Sequence, residues 1–212
     1  MRAARTRAGG LIPGELSRVL LSARVTVLRL VVWKRWQAMA EPGIAVPAEE
    51  SLVYQGEVLV NFQTSRQWVS IKLFAVAAGT DDDDVLASLI RHVRYRDSYA
   101  ASEFTDAETI HGPYWLNAIA PQTFEPASAS DAEALIRTWA EYSVPLTDVD
   151  RAAMEREVYP RIADATSSYQ LPDLRDTAQH DWGQTVGVDG FHEFVLIDRR
   201  INVVALLVAS DD

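Results

Sequence analysis

The chain contains no cysteine. That excludes a disulfide framework, a thiolate metal site and a Cys nucleophile, and it suits a cytoplasmic location. Glycine is sparse, with ten in 212 residues. None of the ten falls in a P-loop or a Gly-x-Gly-x-x-Gly pattern, so no loop is marked for close approach to a phosphate. A Gly-x-Ser-x-Gly elbow and a His-Glu-x-x-His pair are missing as well. Long apolar runs are also missing. Leu30-Val31-Val32-Trp33 is broken on both sides by arginine or lysine, whereas a membrane-spanning helix needs about 20 apolar residues. Of the large function classes, these absences remove nucleotide-dependent, cysteine-dependent and zinc-protease chemistry first. No cofactor and no metal is expected, and no residue is assigned a catalytic role.

What is present is an ordinary globular composition, 48% hydrophobic and 24% charged, with an uneven charge distribution. Residues 1–38 hold eight Lys or Arg and one acid, a net +7. Residues 39–212 hold twelve bases and twenty-nine acids, a net −17. Such a split marks two segments of different character. Residues 1–44 read as a basic N-terminal extension, with Met39 as an alternative start. A genuine basic arm and a targeting segment are the competing readings. The arginines of 18–35 scatter around a helical wheel and leave no clean apolar stripe for a membrane surface. Residues 45–212 read as one soluble, acidic domain. Its charge repels nucleic acid and favours a basic protein as partner.

The apolar patterning of this domain predicts an α+β fold. Leu52 to Phe62 alternates as a half-exposed strand, and Trp68 to Val76 completes a first hairpin. Phe191 to Ile197 and Val203 to Val208 are apolar on both faces, which predicts a second hairpin buried on both sides. The two hairpins are expected to form a four-stranded antiparallel sheet with the C-terminal pair central. The helices inserted between them would cover one face.

Asp81 to Asp84 precede Val85, Leu86, Leu89 and Ile90, the apolar face of a helix. Acids at a helix start satisfy free N–H groups and the positive dipole end. As a calcium loop the run fails, because Leu86 and His92 stand where glycine and glutamate are required. Pro113 to Pro121 is expected to bracket a short helix, with a short strand as the alternative. Ser130-Asp131-Ala132-Glu133 reads as a capping box for a helix with Leu135, Ile136 and Trp139 inward. Thr147-Asp148-Val149-Asp150 opens another, with Val149, Met154 and Val158 inward, and Pro160 interrupts it.

Phe191-His192-Glu193-Phe194-Val195-Leu196-Ile197-Asp198-Arg199, with Leu207-Val208-Ala209-Ser210-Asp211-Asp212, resembles the ending of short actinobacterial proteins of unassigned function. Gly112-Pro113-Tyr114-Trp115-Leu116 is similar too. The resemblance runs from about Tyr54 to the C-terminus and implies no activity.

Two function classes fit these features. The first is a non-enzymatic interaction module, of a regulatory or immunity type, for a basic protein. The second is a small-molecule or metal-binding protein, or a small enzyme, built around the His180, Trp182 and His192 region. Its candidate binding residues are His111, Tyr114, Trp115, His180, Trp182 and His192, since aromatic walls with a few polar groups suit a ligand pocket. His192 and Glu193 are adjacent in a strand and must point to opposite faces.

Overall fold

The computed structural model describes residues 52–101, 104–187 and 190–211. The expectations for residues 1–44 lie outside the described residues. The strands are β1 (Leu52–Asn61), β2 (Gln67–Val76), β3 (Ile110–His111), β4 (Tyr114–Trp115), β5 (Glu125–Pro126), β6 (Ser167–Leu171), β7 (His192–Asp198) and β8 (Val203–Asp211). The helices are α1 (Asp82–Arg91), α2 (Ala129–Ala140), α3 (Asp148–Glu157), α4 (Tyr159–Asp164) and the single turn α5 (Arg175–Ala178).

Six strands form one antiparallel sheet in the order β1-β2-β8-β7-β6-β5, and β3 pairs with β4 in a separate hairpin. The two expected hairpins stand side by side, with the C-terminal pair inside the sheet. The four-stranded expectation is corrected to six. The added strands carry little apolar signal: β6 reads Ser-Ser-Tyr-Gln-Leu, and β5 is two residues long and includes Pro126. A short strand bearing proline is one way to close a sheet edge, since proline offers no N–H to a further strand.

Both faces of the sheet are covered, not one. Helices α2, α3 and α4 bring Ile136, Trp139, Met154 and Ile162 against Ile71, Phe194 and Leu207. On the other face, α1 and the irregular segments after it bring Leu86, Leu89, Tyr95 and Tyr114 against Phe74, Val195 and Leu206. This explains the run of apolar residues in β8. Val204, Leu206 and Val208 enter one core, while Ala205, Leu207 and Ala209 enter the other. Each buried Val or Leu contributes roughly 1.5–3 kcal/mol, so β8 gains on both faces.

Strand β1 does not keep one face throughout. Its register jumps between Tyr54 and Gly56, and one inserted residue reverses the parity of the remainder of a strand. Leu52 and Tyr54 therefore join the α1 side, while Val58 and Val60 join the α2 side.

The local signals hold in part. The acids of 82–84 fill the first turn of α1. Thr147 caps α3 by accepting from the Asp150 N–H, and Pro160 sits at the start of α4, after the break at Val158. The cap of α2 is Ser128, whose Oγ accepts from the Asp131 N–H at 3.1 Å, so the helix is capped two residues before the expected box. Val149 is exposed. Asp150 is the buried residue of that turn, and its carboxylate accepts from the Gln63 N–H in the β1–β2 loop.

The helix expected over 113–121 is replaced by the β3–β4 hairpin and two 3-10 turns, Leu116–Ala118 and Pro121–Thr123. Tertiary pairing decides this. The Gly112 N–H donates to the Asp97 carbonyl at 2.7 Å, and the Pro113 carbonyl accepts from the His180 N–H at 3.1 Å. Gly112 has φ +51°, and a Cβ there would overlap the Phe191 ring. Only glycine fits that turn without strain.

Candidate functional site

Two groupings of polar and aromatic side chains stand out. The first is buried on the α1 side of the sheet. Lys72 of β2 and Glu193 of β7 flank β8, opposite Leu206 and Val208 respectively, and both are 0% exposed. Lys72 Nζ donates to Asp97 Oδ2 at 2.6 Å, to the Arg94 carbonyl at 3.0 Å and to the Tyr99 hydroxyl at 3.2 Å. All three ammonium hydrogens are thus engaged. The Tyr99 ring also lies 4.3 Å from the ammonium, close enough for a cation–π contact.

Glu193 Oε1 accepts from the Tyr95 hydroxyl at 2.8 Å, and Oε2 lies 2.6 Å from His111 Nε2. His111 Nδ1 faces the Tyr95 carbonyl, and the Tyr95 and His111 rings stack. Both nitrogens of His111 face oxygen atoms, the Tyr95 carbonyl and the Glu193 carboxylate. Burial lowers the Lys72 pKa, against the opposing pull of Asp97. Burial also raises Tyr95 and Tyr99 well above the usual tyrosine value, with nearby carboxylates adding to it. A buried charge must be paired and hydrogen-bonded to be tolerated, and here each one is. The arrangement ties Tyr95, Asp97, Tyr99 and His111 down onto the sheet.

The second grouping lies where the β3–β4 hairpin meets the loop after α5. Tyr114 forms a β-bridge with Gln179. His180 Nδ1 accepts from the Trp182 N–H at 3.1 Å. Its proton therefore sits on Nε2, which donates to the Gly112 carbonyl at 3.0 Å. The Trp115 ring meets the His180 ring edge-on at 5.6 Å. Trp115 is 41% exposed and Trp182 76%. Tyr114 is buried and donates to Asp173 Oδ1 at 3.2 Å. Burial raises the Tyr114 pKa. Asp173 is held down at about 2, chiefly by the Arg175 guanidinium.

Of the six residues expected to form a site, Trp115 and His180 meet ring to ring and Trp182 joins them through its backbone N–H, while the Tyr114 ring is buried against Phe191. His111 is on the adjoining strand, but its ring turns inward to Glu193. His192 does not join them. It lies on the opposite face of the sheet, its ring 6.0 Å from that of Trp139, and burial first, with Arg175 second, lowers its pKa. The alternation of His192 and Glu193 is the reason for this separation. An open depression of about 420 Å³ lies apart from the six, against residues 61–68.

Sequence reasoning missed Lys72, Asp97 and Tyr95. One signal was present for Lys72. It shares a strand face with Trp68, Phe74 and Val76, all buried, and a lysine in that company needs an internal partner.

Among the described residues, no three His, Asp or Glu side chains gather as metal ligands, and no helix is long and apolar enough to cross a membrane. Comparison of the chain with protein-family models, with curated proteins and with solved structures finds no match in any of the three.

Proposed function

We propose that the chain is a non-enzymatic interaction protein whose acidic domain receives a basic protein partner. The observation that carries this reading is the set of exposed carboxylates left without a cation. Asp81, Asp83, Asp84, Asp148, Asp176 and Asp181 are exposed and make no ion pair among the described residues. Arg137, Arg175, Arg199 and Arg200 are each held by carboxylates of the same chain, and Arg66 and Arg91 are the fewer exposed cations without an ion pair among the described residues. The uncompensated field is therefore negative. It steers a cationic surface inward and disfavours phosphate backbones. The groups that proton-transfer chemistry would need, His111, Glu193 and Lys72, are engaged in the interior. Regulation or inhibition of a basic cytoplasmic protein, in the manner of an immunity protein, is the concrete form of this reading.

Affinity capture with the full chain from its own cells tests it. At low salt a basic protein is recovered in stoichiometric amount, and it leaves as salt is raised. Recovery of no protein at low salt contradicts the reading.

A small-molecule reading rests on a different observation, the contact of His180 with the Trp115 ring and with the Trp182 backbone N–H. It predicts a retained organic ligand that His180→Ala releases. A ligand unaffected by that change removes this reading.

A further inference from the structure

We infer that the exposed indoles of Trp115 and Trp182, with the carboxylate of Asp181 between His180 and Trp182 in the chain, form the contact that takes an arginine side chain of the partner. The inference rests on the reading of the protein as a receiver of a basic protein, and it assigns the place.

Three observations converge. Among the described residues Trp182 is the most exposed of the large apolar side chains, at 76%, and Trp115 adds a second half-open indole. A tryptophan normally serves as a packing residue, so two open indoles on one short stretch of surface need an explanation. His180 holds both. Its ring meets the Trp115 ring, and its Nδ1 accepts the backbone N–H of Trp182. Gly183 then brings the chain so close to the Pro113 carbonyl that a Cβ would overlap it. The indoles are thus presented from a backbone fixed at both ends, which reduces the ordering cost of binding.

The third observation is charge. Asp181 and Asp176 are exposed and unpaired among the described residues, while the nearby cation Arg175 is neutralised by Asp173. Aromatic faces beside carboxylates favour a cation. Guanidinium suits them better than ammonium because it is planar, weakly hydrated and able to stack on indole while bonding a carboxylate. An arginine presented by a protein matches exposed indoles beside exposed carboxylates. Asp81, Asp83 and Asp84 lie elsewhere. They come after β2 near the β7–β8 turn, where the Val76 N–H bonds the Asn202 carbonyl, whereas the Trp182 loop runs on to Gly187, bonded to Asp211. They supply long-range steering without an aromatic surface.

The test is a titration of the full chain with hexa-arginine at low salt, read on the six tryptophan indole N–H signals by NMR and assigned with single Trp→Phe variants. Hexa-lysine and an uncharged hexapeptide serve as comparisons. The Trp115 and Trp182 signals are expected to move together and saturably, with arginine ahead of lysine. Trp182→Ala and Asp181→Asn, both at exposed positions, are expected to weaken binding by roughly five- to thirty-fold. Saturable binding that leaves these two indoles unmoved, or that is unchanged in Trp182→Ala, overturns the assigned place while the basic-partner reading stands. No saturable binding of either cationic peptide overturns both.

Discussion

Glu193 Oε2 and His111 Nε2 meet at 2.6 Å in the interior although 82 residues separate them in the chain. Glu193 belongs to β7, and His111 belongs to a two-residue strand outside the main sheet. Their contact, with Tyr95 as third member, fastens the irregular covering layer to the sheet.

Removing the carboxylate should therefore cost more than removing its charge. Glu193→Ala leaves the Tyr95 hydroxyl and His111 Nε2 buried without partners, and should destabilise the fold by about 3–5 kcal/mol. Glu193→Gln keeps an acceptor for Tyr95 and offers an N–H to His111, so its cost should stay near about 1 kcal/mol, the scale of one ordinary hydrogen bond. Urea unfolding of the two variants checks this. Equal losses would mean that the carboxylate's hydrogen bonds are not what holds the layer.

Lys72 and Asp97 should behave as a coupled pair. Lys72→Met preserves volume but strands a buried carboxylate, and should cost about 3–5 kcal/mol. Asp97→Asn added to it should recover part of that loss, since contacting residues couple by about 0.5–3 kcal/mol. A double-mutant cycle measures the coupling. Strict additivity would show that the two charges do not depend on each other.

Acidification should weaken the fold in two stages. His192 has its pKa lowered in the folded state, by burial first and by Arg175 second, with Asp173 opposing. Between that lowered value and the unfolded value of about 6.5, the unfolded chain binds more protons, so stability falls as pH drops through this window. Asp173, at about 2 through Arg175, and Asp198, lowered by Arg200, are depressed carboxylates. Their contribution is present above the unfolded value of about 3.9 and is lost as pH falls towards their folded values. Denaturation midpoints from roughly neutral pH down to about 2 should show both stages, and His192→Gln should remove the upper one alone. An upper stage that persists in this variant would assign it to another group.

Much of the architecture was legible because it arises from burial on two faces. The period of Val203 to Val208 places β8 inside the sheet whatever the rest of the chain does, and the alternation at Phe191 to Ile197 sends Glu193 and His192 to different faces. β6 was not legible, because Ser167, Ser168 and Gln170 carry no β signal of their own and pair only because β7 offers an edge. The bulge at Gly56 was hidden for a related reason. A lone glycine in a strand marks an irregularity, but it does not say that Leu52 and Val58 enter different cores. At the candidate site, the contact of Trp115 with His180 joins two residues that residue type singles out. The Lys72–Asp97 and His111–Glu193 pairings could not be read from residue type, since each joins residues brought together only by the closed fold.

The central claim is that the acidic domain binds a basic protein. Native mass spectrometry of the full chain, purified gently at low salt from its own cells, tests it most directly. The account predicts a mass equal to that of the chain plus a second, basic polypeptide, lost as the ionic strength is raised. A mass carrying only a metal or a small organic molecule would contradict it and direct attention to His180 and its indole neighbours as a ligand site.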